Sequence, residues 1–94
     1  MRVRLTPSAE RDLDEIEAYI AADNVSAAID TVLRVIDSIR HLGDNPDMGR
    51  EGRVGGTREW VVPETPFIVP YRIRDNTVEV LRVLHGARKW PRRL

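Results

Sequence analysis

The chain has 94 residues, room for one compact domain, and its 41% hydrophobic and 32% charged residues exclude an intrinsically disordered polypeptide. It holds no cysteine, which excludes disulfides, thiolate metal ligands and a cysteine nucleophile and makes a reducing cytoplasm the simplest compartment; no apolar run approaches the ~20 residues of a membrane span. The formal net charge is zero, but residues 1–47 carry a net −5 and residues 48–94 a net +5, so one surface is expected to meet anions or an acidic partner.

Arg2–Leu5 alternates and predicts a short strand. Thr6-Pro7 then reads as an N-cap followed by proline at the first helical position. Ala9, Leu13, Ile16 and Ile20 recur at helical spacing, with Glu10, Asp12, Asp14, Glu15 and Glu17 assigned to an opposite, acidic face. Asp23-Asn24 breaks this helix and caps a second, expected from Val25 to Leu42, with Gly43 as its C′ residue. Ala28, Ile29, Val32, Leu33, Ile36 and Ile39 give it a wide apolar face, and the short link predicts an antiparallel helical hairpin.

Asp44–Gly56, with one proline and four glycines, predicts a loop too long for a simple turn and therefore functional or mobile. Three strands follow. Thr57–Val62 places Arg58, Trp60 and Val62 on one side. Phe67–Arg74 places Phe67, Val69, Tyr71 and Ile73 on the core side and carries Pro70, which predicts a bulge or an unpaired edge. Asp75-Asn76 is a tight turn into Thr77–Leu84, so the last two strands form a hairpin. The predicted fold is α+β in the order β-α-α-β-β-β, a helical hairpin on one face of a small, mostly antiparallel sheet. It is one domain over residues 1–94: a strand and helical hairpin over 1–43, a loop over 44–56, a three-stranded meander over 57–85 and a basic tail over 86–94.

Four segments carry a resemblance: Asn45-Pro46-Asp47-Met48-Gly49-Arg50, Thr57-Arg58-Glu59, Pro70-Tyr71-Arg72-Ile73 and Val80-Leu81-Arg82-Val83-Leu84-His85-Gly86-Ala87-Arg88. In this order and spacing, together with the helical hairpin, they make the chain similar to the RelE/ParE toxin superfamily. The resemblance implies a cytoplasmic toxin of a type II toxin–antitoxin system, neutralised by a cognate, ParD-like antitoxin with a disordered C-terminal segment. It implies one of two activities: inhibition of DNA gyrase and replication by binding, or ribosome-dependent cleavage of messenger RNA. An inactive relative that only binds the antitoxin is a third reading.

RNA cleavage would need arginines at the phosphate and a proton donor that titrates near neutrality. His85, Arg58 and Arg82 are the candidates for that work; His85 also reads as a strand-end histidine bonded to backbone. Arg50, Arg72, Arg88 and Trp90 are candidates for contact with a target or anion, and Arg72 and Arg82, on adjacent hairpin strands, could line one phosphate-binding face or form cross-strand ion pairs with Glu79 or Asp75. Leu13, Ile16, Ile20 and Val25 are candidate antitoxin contacts, with an acidic antitoxin segment complementing the basic half. No metal site, cofactor or DNA-reading helix is expected in the chain, so any DNA contact would run through the antitoxin.

The messenger-cleaving branch carries a basic residue about three places before the strand tyrosine, where this chain has Ile68. That branch also has an aromatic hydroxyl near the end of the last strand and a lysine-rich loop before the second; here no tyrosine follows Tyr71 and the loop has no lysine. The departures favour the gyrase-inhibiting reading.

Overall fold

A computed structural model describes all 94 residues. The elements are β1 (Arg2–Leu5), α1 (Pro7–Ala21), α2 (Val25–Asp44), β2 (Arg50–Glu51), β3 (Arg58–Val61), β4 (Phe67–Arg74), β5 (Thr77–Val80) and β6 (Leu84–His85). The two helices pack as a hairpin against a mixed sheet of order β1-β5-β4-β3-β2, with β6 paired to β4. Only the β1–β5 pair is parallel; the other pairings are antiparallel. This is the expected α+β order, with a two-residue β2 inside the expected loop and the expected last strand divided into β5 and β6. No helix is long and apolar enough to cross a membrane.

Both helices start where their caps predict. The Thr6 hydroxyl accepts from the Ala9 N–H at 3.1 Å and Pro7 follows it; the Asn24 side chain accepts from the Ala27 N–H at 3.0 Å. The second helix runs two residues past its expected end, so Gly43 lies in its last turn and is not a C′ residue. A Cβ at Gly43 would stand 2.8 Å from the Val3 side chain and 3.1 Å from the Met1 carbonyl, so the glycine serves the close approach of the N-terminal strand.

The core lies between hairpin and sheet. Ala9, Val35, Ile39 and Leu42 meet Val62, Phe67, Val69, Tyr71, Val78, Val80 and Val83 there. The apolar face of α2 is wider than the core it covers: Val32 and Ile36 are half-buried, and Ile29 and Leu33 stand in solvent. The β4–β5 hairpin turns at Asp75 and Asn76, with φ of 51° and 56°, the left-handed geometry of a two-residue connection.

The expected strand Thr77–Leu84 breaks after Val80. In register, Tyr71 faces Val80 but Ile68 faces Leu84, so three residues, Leu81–Val83, span the two β4 positions Val69 and Pro70. Pro70 accounts for the break. Its carbonyl accepts from the Leu81 N–H at 2.9 Å, and its imide nitrogen, on the same strand edge, returns no donor. The bulge predicted at Pro70 therefore forms on the strand opposite it.

Candidate functional site

Two polar clusters, adjoining along the central strand β4, carry the polar machinery. At the first, Tyr71 sits fully buried on β4 and its hydroxyl donates to the Pro46 carbonyl at 2.7 Å while accepting from the Gly49 N–H at 2.9 Å. Arg58, opposite Tyr71 on β3, donates to the Gly49 carbonyl at 2.8 Å and the Asp47 carbonyl at 3.3 Å. Burial pushes the Tyr71 phenol above its ordinary pKa, against the opposing pull of the Gly49 hydrogen bond and of Arg58. Segment 46–49 is thus fastened by two side chains of the sheet. A Cβ at Gly49 would stand 2.6 Å from the Tyr71 hydroxyl, so only glycine passes there.

At the second, Asp12 of α1 closes the bulge. Its carboxylate accepts from Arg82 Nε at 2.7 Å, from Arg82 Nη2 at 2.9 Å and from the Val83 N–H at 3.0 Å. Hydrogen bonding to Asp12 raises the Arg82 pKa further and keeps the guanidinium charged. The Thr6 hydroxyl donates to the Leu81 carbonyl at 2.8 Å, so both ends of the bulge are tied to the start of α1. Asp12 is 8% exposed and does not belong to the solvated acidic face assigned to it.

The helix-free face of the sheet is a field of arginines held by two buried glutamates. Glu79, in register between Arg4 on β1 and Arg72 on β4, pairs with both, the Arg72 Nε contact measuring 2.6 Å. Glu59, 3% exposed, accepts from the Arg53 N–H at 2.8 Å and pairs with Arg50 at 3.3 Å and Arg53 Nε at 3.4 Å. Two carboxylates fix four guanidiniums and leave two positive charges uncompensated. The Arg53 guanidinium lies 3.5 Å from the centroid of the Trp90 ring, which brings the C-terminal tail onto this face. Ile68, Pro70 and Leu84 are buried or half-buried there, so the face is open only in part.

Between α1 and the β4–β6 corner runs a groove of about 670 Å³. Ile16, Ile20, Phe67 and Val83 contribute apolar walls, and Tyr19, His85, Arg88, Lys89 and Trp90 line it as well. His85 faces Phe67 across the β4–β6 pair with its ring edge-on at 5.7 Å; its Nδ1 accepts from the Ala87 N–H at 3.1 Å and its carbonyl from the Trp90 indole at 3.1 Å. These are the contacts of a strand-end histidine bonded to backbone. Arg88 lies 5.7 Å from the Tyr19 ring centroid, across the groove on α1.

Of the candidates for acid–base work, Arg82 and His85 both line the groove, while Arg58 lies apart from them. Arg58 and His85 sit in register with β4 residues Tyr71 and Phe67, four positions apart, or roughly 13 Å along the strand. Arg82 is committed to Asp12 and shares no face with Arg72, which is committed to Glu79. Of the target or anion candidates, Arg50 and Arg72 share the helix-free face and Trp90 reaches it through Arg53, while Arg88 belongs to the groove. Of the antitoxin candidates, Ile16 and Ile20 line the groove, Leu13 packs against the core and Val25 is exposed. Asp12, Glu59 and Tyr19 were not among the candidates. Asp12 carried a signal, because it lies three residues after Ala9 and four before Ile16, on the buried stripe of α1.

Residues 3–90 match the family described as the ParE toxin of the type II toxin–antitoxin system parDE. A Sinorhizobium fredii protein, Y4kP, which carries the name of a toxin, is 44% identical over 90 residues, 96% of this chain and 93% of its own length. Toxin RelE2 of Caulobacter vibrioides is 31% identical over 77 residues, 82% and 85% of the two chains. Among solved structures, the chromosomal ParDE system of P. aeruginosa superposes with a TM-score of 0.81 at 26% identity, covering 90% of this chain and 95% of that one. The RelBE2 toxin–antitoxin complex of Mycobacterium tuberculosis superposes at 0.63 with 28% identity, covering 89% and 95%.

Proposed function

The chain belongs to the ParE toxin family of type II toxin–antitoxin systems, and from that premise we propose that it acts in the cytoplasm by binding and inhibiting DNA gyrase, without chemistry of its own. The observation that carries this reading is that each acid–base candidate is already engaged within the fold: His85 is bonded to backbone, Arg82 is paired with Asp12, and Arg58 fastens a loop. The arginines of the helix-free face, fixed in place by Glu59 and Glu79, supply the target-facing surface, with Arg72 on the central strand β4, Arg50 on the edge strand β2 and Trp90 joined to them through Arg53. Guanidiniums already ordered by a carboxylate lose little entropy on meeting an acidic protein surface.

The antitoxin, in this proposal, lays an acidic, apolar-studded segment into the groove, with Ile16 and Ile20 as its floor and Arg88 and Lys89 as its basic rim. Truncation after Leu84 removes that rim and is expected to weaken the complex; unchanged affinity would count against the placement. Likeness to proteins named RelE2 and RelBE2 favours ribosome-dependent messenger cleavage as the second reading. Induction of the chain in cells separates the two. Gyrase inhibition gives filaments and a DNA-damage response with messenger RNA intact, whereas rapid translation arrest with messenger cuts that His85→Ala abolishes would establish the second.

A further inference from the structure

The helix-free face of the sheet divides into two halves of different composition. On β3, β6 and the first half of β4 it carries Val61, Ile68, Pro70 and Leu84, with Trp90 reaching it through Arg53. On β1, β5 and the second half of β4 it carries Arg2, Arg4, Thr77, Glu79, Arg72 and Arg74, with no apolar side chain among the six. Register fixes their order: Arg2 and Arg74 flank Thr77, and Arg4 and Arg72 flank Glu79. The four arginines thus stand at the corners of a rectangle, about 7 Å along the strands and about 10 Å across β5. Glu79 pairs with Arg4 and Arg72 and with neither Arg2 nor Arg74, both of which are exposed. The quartet sets four positive charges against one carboxylate.

This composition selects among anionic partners. A protein interface centres on aromatic or aliphatic anchors, and the quartet's half of the face offers none. A single-stranded nucleic acid needs rings on which its bases stack; none of the six residues is aromatic, and the Trp90 ring is already covered by Arg53. What remains is a stiff, regularly charged polyanion. Duplex DNA carries one phosphate charge per ~1.7 Å of its axis, and its interfaces with proteins are polar and rich in positive charge. Arg4 and Arg72, already held by Glu79, meet it with little loss of side-chain freedom, and Arg2 and Arg74 bring two further charges. All four stand on the flat of a sheet, which does not enter a groove, so the contact is with backbone phosphates and reads no sequence.

We propose that Arg2, Arg4, Arg72 and Arg74 bind the phosphate backbone of duplex DNA. This rests on the target-facing reading of the helix-free face and deepens it: the half with apolar side chains and Arg50 meets the gyrase protein, and the quartet meets the DNA that gyrase holds.

The quartet can be tested without gyrase, so its failure is separate from failure of the gyrase reading, which the induction experiment decides. The intact chain is titrated into a fluorescein-labelled 20-base-pair duplex of mixed sequence and anisotropy is followed. A net excess of three charges predicts an affinity that falls roughly fortyfold between 50 and 200 mM salt. Arg2→Gln combined with Arg74→Gln should weaken binding about tenfold at 50 mM salt and lower the log–log salt slope by about two, with the thermal midpoint unchanged because both side chains are exposed and outside the Glu79 pairs. Arg11→Gln combined with Arg40→Gln removes the same charge from exposed positions on the helices and should leave duplex binding unchanged. Equal weakening by the two pairs of substitutions, no binding at 50 mM salt, tighter binding to one strand of the same duplex, or equally tight binding to a 20-residue polyglutamate would each overturn the proposal.

Discussion

The two polar clusters beside β4, one at the end of Tyr71's side chain and one at the Asp12 end of the bulge, are held by different chemistry. At the Tyr71 end, a neutral hydroxyl satisfies two backbone groups of segment 46–49 and is itself fully buried. At the Asp12 end, a carboxylate binds a guanidinium and one backbone N–H, beside a groove open to solvent. The first closes a loop onto the core, so three of the four family-like segments turn out to be structural fasteners. The second joins α1 to the strand that leads into His85 and the tail, so the helical hairpin and the groove's far wall share one ion pair.

Breaking the ionic end should cost most. Asp12→Ala strips a charge partner from Arg82 and orphans the Val83 N–H, and is expected to lower unfolding free energy by about 3 kcal/mol. Adding Arg82→Met should recover part of that loss, because the stranded charge goes with it; a denaturant-melt double-mutant cycle reads the coupling. Tyr71→Phe leaves the Pro46 carbonyl and Gly49 N–H without their partner and should cost about 2 kcal/mol by the same melts.

The neutral end also has its own pH signature. Burial raises the Tyr71 pKa on folding, so the folded chain holds that proton more tightly than the unfolded one. Its contribution is complete below the unfolded phenol value of about 10 and is lost as pH rises through the folded value. Alkaline stability curves of Tyr71→Phe should therefore fall less steeply above that pH than those of the parent chain. Parallel curves would show that the phenol's shift contributes nothing to folding. The smallest effect is expected at the Arg53–Trp90 stack. Arg53→Ala should change stability by no more than about 1 kcal/mol yet raise hydrogen exchange in the tail, since it removes the cation–π contact that joins the Trp90 ring to the helix-free face.

Much of this fold could be read from local signals. Thr6-Pro7 and Asn24 mark real caps, Asp75-Asn76 makes the predicted turn, and the alternation of β4 turns Tyr71 inward. What local reading lost is long-range. Arg82 reads as a strand residue because its partner lies 70 residues earlier, and β2 is too short to show a period. Ile29 and Leu33 read as core because an apolar stripe gives no measure of how wide a surface the sheet can cover. The acid–base candidates illustrate the same limit. Residue type nominated His85, Arg58 and Arg82, and only the structure shows that the register of β4 parts Arg58 from His85 and that Asp12 occupies Arg82.

Gyrase inhibition by binding is tested most directly with purified components. Plasmid supercoiling by gyrase, followed at increasing concentrations of this chain, should be blocked in proportion to the chain added, and His85→Ala should block it equally well. Unimpaired supercoiling, with messenger RNA cut in a purified translation reaction by the parent chain and not by His85→Ala, would contradict the account.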